Sequence, residues 1–180
     1  MLHIYVPGIE GWDEKREIFV STKPCTLALE HSLVSVSKWE ARWNRSFFAT
    51  PPATRAEELD YVRCMTLTQN VPDDTYAALT PANLKAIRAY MDAPMTATKI
   101  SAKSNQKKGG RTVTSELVYS WMIQLGIPFE CQKWHLNRLL TLIRVCEIES
   151  RDPKKQSKND ILRQNAALNA KRRKMMNSRG

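Results

Sequence analysis

Glycine is scarce in this chain, and the short patterns that usually mark nucleotide, metal or redox sites are missing. Only 6 of the 180 residues are glycine, and neither a Gly-x-Gly-x-x-Gly stretch nor a Walker A sequence occurs. The 4 cysteines include no Cys-x-x-Cys pair, and the 3 histidines include no His-x-x-x-His pair. Since such spacings hold phosphate groups and zinc, the sequence predicts no cofactor and no metal site.

Long apolar runs are missing as well. A membrane-spanning helix needs about 20 apolar residues in succession, and no stretch of this chain approaches that length. The first residues lack a basic segment followed by an apolar one, so no secretory signal is visible. With 42% hydrophobic and 26% charged residues the composition is typical of a globular protein. We expect a soluble intracellular protein with free thiols and no membrane partner.

Positive charge is concentrated in two segments. The chain has 28 Lys+Arg and 18 Asp+Glu, and residues 151–180 hold ten of those cations but only two of the acids. Residues 99–111 contain five cations and no acid. Such clusters bind phosphates, contact an acidic protein surface or remain solvated, and the sequence leaves these alternatives open. The candidate partner-binding residues are Lys103, Lys107, Lys108, Arg111, Arg163, Lys171, Arg172, Arg173 and Lys174.

Hydrophobic periodicity predicts a mainly α protein with a small N-terminal β-hairpin or sheet and a β-hairpin arm, an α+β fold. Residues 2–6 alternate as a strand, residues 17–20 are expected to return beside them, and residues 25–30 resemble a third strand. Two threonine-rich pieces enclose a polar, lysine-rich stretch, which predicts a basic hairpin arm or loop over residues 95–114.

Capping signals place the helices of the chain. A Ser or Thr accepts hydrogen bonds from the first free N–H groups of a helix, and proline fits the first helical position. The helix predicted over residues 131–148 is apolar around so much of its circumference that it should be central and buried. The expected first residues or caps are Ser35 or Ser37, Thr54, Thr80, Thr114 or Ser115, and Ser157. The expected core residues of the apolar helix are Trp134, Leu139, Leu142 and Ile143.

The helices and strands group into a body and a tail. Residues 1–150 are predicted to form a mostly helical globular domain, with its strands within residues 1–30. Residues 151–180 are predicted to form a basic C-terminal helix and tail, whose apolar stripe is narrow.

Two residue groups could carry chemistry or base stacking, and for both a structural role is favoured. Cys131 and His135 lie four apart, a spacing that lets a nucleophile and a base touch on a helix. No third residue that would orient the pair is near, so we predict no catalytic site. Trp39 and Trp43 are spaced to share a helix face, and we interpret them as core anchors rather than as platforms for nucleobases.

Several stretches resemble a group of small proteins encoded among the tail genes of long-tailed bacteriophages, the tail assembly chaperones. These stretches are residues 29–40, 64–70, 94–98, 127–146 and 165–173, of which residues 127–146 are the most distinctive. The resemblance implies a protein that coats the long helical tape-measure protein while the tail tube assembles, and it brings no catalytic or ligand residue.

The resemblance also implies partners and a location. The tape-measure protein is the expected partner, the tail tube protein and a second copy of the chain are further candidates, and the host cytoplasm is the expected location. A chaperone of this kind needs an apolar groove for a helix. One alternative is a virion structural protein of the tail or head–tail connector. The other is a nucleic-acid-binding protein that uses residues 151–180.

Overall fold

The structure, a computed structural model, describes residues 1–8, 10–13, 17–21, 23–100, 112–150 and 158–176. Its strands are β1 (Leu2–Val6), β2 (Glu10–Asp13), β3 (Ile18–Ser21) and β4 (Cys25–Leu29). Its helices are α1 (Leu33–Trp43), α2 (Arg55–Met65), α3 (Asp73–Ala77), α4 (Pro81–Asp92), α5 (Ser115–Gln124), α6 (Leu136–Glu149) and α7 (Lys158–Met176), with a 3-10 helix at Phe129–Lys133. The chain divides into two compact units, Met1–Arg144 and Val145–Gly180. A mainly helical α+β fold is thereby confirmed.

The N-terminal strands follow one antiparallel register. β1 pairs with β4, and β2 pairs with β3. The numbers of facing residues add up to the same value in both pairs, so the second pair continues the register of the first. In that register Pro7 lies opposite Pro24. Because proline has no backbone N–H to donate, the ladder is interrupted at this point.

The predicted pairing of the strands is wrong. Residues 17–20 were expected to return beside β1, but residues 18–21 pair with β2, and the partner of β1 is β4. Alternation identifies β1 correctly, since Ile4 and Val6 are buried. A two-residue period, however, shows which side chains face the core and does not show which strand lies alongside.

α1 begins earlier in the sequence than either predicted cap, Ser35 or Ser37, requires. Ser32 is the N-cap: its hydroxyl accepts from the Ser35 N–H at 3.3 Å, and the Ser32 N–H donates to the Ser35 hydroxyl at 2.8 Å. Ser35 and Ser37 are therefore not caps, which corrects the prediction. Ser35 instead completes the capping box from the third helical position, where Glu or Gln is more usual.

The capping signals at Thr54 and Thr80 are confirmed. Thr54 opens α2 in a capping box, and Thr80 caps α4 with proline at the first helical position. α5 begins at Ser115, as predicted, after Thr114. Its C-terminal turn is followed by Gly126 with φ of 65°, a left-handed conformation that glycine adopts without steric cost.

Trp39 of α1 lies at the centre of the core. Its side chain is fully buried, and the Phe47 ring meets it edge-on at 5.5 Å. Trp43, one turn later, stacks beside it at 6.0 Å and remains 36% exposed. The Arg45 guanidinium lies over both indole rings. Trp39 is thus a core anchor, as predicted, whereas Trp43 is exposed, which corrects the prediction that both are core anchors.

The apolar segment 131–148 is not one continuous helix, which corrects the prediction. The 3-10 helix ends at Lys133, Trp134 is extended, and α6 begins only at Leu136. The reason is tertiary. The Leu136 N–H donates to the His31 carbonyl at 2.7 Å, so the backbone bonds to the segment before α1 rather than to the preceding turn.

Burial along α6 follows one stripe. Leu139 and Ile143 are buried as predicted, whereas Trp134 and Leu142 are only half-buried. The Arg138 guanidinium covers the Trp134 ring at 4.2 Å, so a cation replaces the expected apolar neighbours.

The predicted arm over residues 95–114 has no strands in its described parts. Residues 94–100 and 112–114 carry no strand pairing. Residues 101–111 lie outside the described residues, and with them the candidate contacts Lys103, Lys107, Lys108 and Arg111.

Side chains of the body hold both ends of this segment. On the entry side, the Asn137 side-chain amide donates to the carbonyls of Met91 and Ala93 at 2.9 and 2.8 Å. On the exit side, the buried Glu40 carboxylate accepts from the backbone N–H groups of Ser115 at 2.7 Å and Phe47 at 2.8 Å. Thr114 makes no side-chain cap bond, so the carboxylate of Glu40, which belongs to α1, caps the start of α5 in its place.

α7 forms most of the described part of the second unit. Every side chain described on it is exposed, including Leu162 at 65% and Leu168 at 52%. The predicted cap Ser157 lies outside the described residues. Of the helices that the structure describes, none combines the length and hydrophobicity that crossing a bilayer requires.

Candidate interaction surface

A groove of about 240 Å³ lies between α2 and α4. Its floor and walls are mostly apolar, and its charged residues belong to the same two helices. Pro51 and Pro52, which precede α2, also contribute to the lining. The lining residues are Pro51, Pro52, Glu58, Tyr61, Val62, Leu84, Ile87, Arg88, Met91 and Asp92.

Polar contacts hold together the helix pair that forms the groove. Arg88 of α4 forms an ion pair with Glu58 of α2. The Arg55 guanidinium donates to the Leu79 carbonyl at 3.1 Å, which ties the start of α2 to the turn before α4. These contacts fix the two walls while Ile87, at 2% exposure, packs between them.

Behind the groove, two buried histidines connect its two walls. The His31 and His135 rings meet edge-on at 5.2 Å. His31 Nδ1 lies 2.5 Å from the hydroxyl of Tyr61, which lines the groove from α2. His135 Nε2 lies 3.0 Å from the Tyr90 carbonyl of α4, and because a carbonyl can only accept, Nε2 carries the proton.

Burial keeps both rings neutral. Loss of hydration, and then the neighbouring His135, lower the pKa of His31 to about 3. Loss of hydration also lowers the pKa of His135. Glu30, a carboxylate that acts on His135, accepts the Tyr90 hydroxyl at 2.7 Å and pairs with the N-terminal amino group at 2.9 Å. Burial and Glu30 raise the pKa of the Tyr90 phenol. The network is therefore a neutral support for the helix pair.

The candidate catalytic pair does not assemble. His135 Nε2 donates to the Tyr90 carbonyl, and Nδ1 accepts from the Asn137 N–H at 3.3 Å. Both nitrogens are thus engaged by groups other than the Cys131 thiol, which is buried in the 3-10 helix. Within the described ranges, no three His, Cys, Asp or Glu residues converge in a way that would hold a metal ion.

The structure describes only some of the candidate partner-binding residues from the sequence. Arg163, Lys171, Arg172 and Arg173 are exposed on α7. Lys174 also belongs to α7, but its side chain lies outside what the structure describes. The remaining four candidates fall within residues 101–111 and are likewise not described.

Charge patterns in the sequence did not reveal the groove, although the spacing of apolar residues on α4 gave part of the information. Leu84, Ile87 and Tyr90 or Met91 recur at helical spacing, which predicts that they share one face of a helix. In the structure Ile87 is buried, whereas Leu84 and Met91 are half-buried and border the groove. The same period describes both roles, because it reports a shared helix face and not what covers that face.

Comparison of this chain with models of known protein families, with curated proteins and with solved structures found no match.

Proposed function

We propose that this chain is a tail assembly chaperone of a long-tailed bacteriophage, and that it holds an apolar helix of the tape-measure protein in the groove between α2 and α4. The groove is the observation that carries the proposal. The resemblance of five stretches to tail assembly chaperones implies such a surface, and the mostly apolar lining between α2 and α4 supports the proposal.

The dimensions of the groove favour side chains over a free metabolite. Small-molecule pockets usually enclose about 300–1,000 Å³, and this groove encloses about 240 Å³. Its lining on α4 runs from Leu84 to Asp92. At 1.5 Å per residue this is about 12 Å, or two helical turns. An amphipathic helix could place a few apolar side chains in it, which is the helix-in-groove mode of recognition.

A variant of α4 tests the proposal. Met91→Arg places a cation in the groove, whereas Ala89→Arg adds the same side chain at an exposed position of α4 that does not line it. We expect Met91→Arg to weaken co-purification with tape-measure fragments of the same phage by tenfold or more, about 1.4 kcal/mol, and Ala89→Arg to have no effect. Equal binding by both variants would contradict the role of the groove.

A structural component of the virion is the second candidate, and the N-terminal ribbon is the observation that favours it. β2 and β3 pair with each other and, among the described strands, with no other. Trp12 on β2 is 62% exposed. Strand addition to a neighbouring subunit would use such a free edge. Mass spectrometry of purified particles separates the two candidates, since a structural protein is present in fixed copy number and a chaperone is absent.

A further inference from the structure

The C-terminal end of α4 carries negative charge that no described residue neutralises. Asp92 is the last residue of α4, is exposed and lines the groove. It forms no ion pair with any residue that the structure describes. The last turn of α4 also has no basic residue. A carboxylate at this position adds to the negative end of the helix dipole, where a cation is the favourable group.

The groups that bind this helix end are neutral. The Tyr90 carbonyl accepts from His135, and the carbonyls of Met91 and Ala93 accept from the Asn137 amide. The hydrogen-bonding needs of these carbonyls are thereby met without any positive charge. Arg88, the cation of the groove, is already paired with Glu58 one turn earlier.

We propose that the groove selects a basic amphipathic helix, whose apolar side chains fill the space between α2 and α4 and whose Lys or Arg pairs with Asp92. This inference rests on the proposed function, because it assigns the chemistry of the partner to the same groove. Apolar contact supplies affinity, and Asp92 supplies preference among helices of equal hydrophobicity.

The size of the preference follows from the exposure of Asp92. An exposed ion pair contributes up to about 1 kcal/mol, and a cation at a helix C-terminus contributes a similar amount at low salt. A peptide with Lys beside its apolar stripe should therefore bind about 2- to 5-fold more tightly than its Glu counterpart. Salt should reduce this ratio, because the Debye length falls to about 8 Å at physiological ionic strength.

Two labelled synthetic helices test the inference by fluorescence anisotropy. Both carry the same leucine stripe, and they differ only in having Lys or Glu next to its end. Wild-type protein should prefer the Lys peptide, and Asp92→Lys should prefer the Glu peptide. Lys85→Glu is the matched control: it changes an exposed charge on α4 outside the groove and should keep the wild-type preference.

The outcomes separate this inference from the proposed function. If both peptides bind the wild-type protein equally and Asp92→Lys changes neither affinity, charge selection by Asp92 is overturned while the groove remains a helix site. If neither peptide binds, the groove is not a helix site, and both proposals are overturned. Asp92→Lys should fold normally, since it places a cation at the favourable end of α4.

Discussion

Acidification should destabilise this protein well above the pH at which carboxylates titrate, because His31 is buried as a neutral ring. His31 contacts His135, Phe47 and Tyr61 and is 4% exposed. Each of these neighbours is uncharged, so none of them favours an imidazolium. The perturbation is a shift from pH 7.5 to pH 5.0.

The direction and size of this change in stability follow from the protonation of His31 in the folded and in the unfolded chain. In the folded chain the pKa of His31 is about 3, against 6.5 for an unperturbed histidine. The unfolded chain therefore binds more protons between these values, and stability is full above pH 6.5 and falls as the pH falls. At pH 5.0 the loss in the free energy of unfolding is about 2 kcal/mol. The reason is that pH 5.0 lies about 1.5 units below the pKa of the unfolded ring, which is then protonated, while the folded ring remains neutral. The lowered pKa of His135 adds a loss of the same sign.

Thermal unfolding by circular dichroism measures this loss. For a chain of this length, 2 kcal/mol corresponds to a fall in Tm of about 4–8 °C between pH 7.5 and 5.0. His31→Gln removes the titrating group while keeping a polar partner for Tyr61, so the fall should shrink by half or more. His3→Gln, at an exposed position of β1, is the matched control and should show the wild-type fall. An equal fall in the wild type and in His31→Gln would refute the reasoning.

Three further predictions concern stability. Leu139→Ala should cost about 2–5 kcal/mol in urea unfolding, because Leu139 is fully buried; a midpoint equal to that of the wild type would contradict its place in the core. Glu40→Ala should cost about 2–4 kcal/mol, because it leaves the N–H groups of Phe47 and Ser115 without their acceptor, and Glu40→Gln should recover part of that loss. Deletion of residues 157–180 should leave the melting transition of the body in place, because the described side chains of α7 are exposed; loss of that transition would argue against an independent body.

Sequence alone located the starts of several helices, because caps are local. The hydroxyls of Thr54 and Thr80 bond to N–H groups three residues away, so their effect depends on little beyond the neighbouring residues. Ser32 was missed since Ser35 and Ser37 carry the same hydroxyl, and only the backbone conformation of Ser32 shows which of the three is outside the helix.

Sequence also located β1, β3 and β4, but it missed β2 and did not identify which strands pair. β1 and β4 both alternate visibly, yet their pairing joins residues that are 19 to 27 positions apart in the sequence, with β2 and β3 between them. The opposition of Pro7 and Pro24 that interrupts the ladder becomes recognisable only after the register is known.

The groove and the histidine pair were decided by tertiary structure. His31 and His135 are distant in sequence, and they meet because the break before α6 places Leu136 against the backbone of His31. Met91 shares one helical period with Ile87, yet only Ile87 is covered. Local patterns record which side chains face together, whereas long-range packing determines which of those faces are covered and which remain open to a partner.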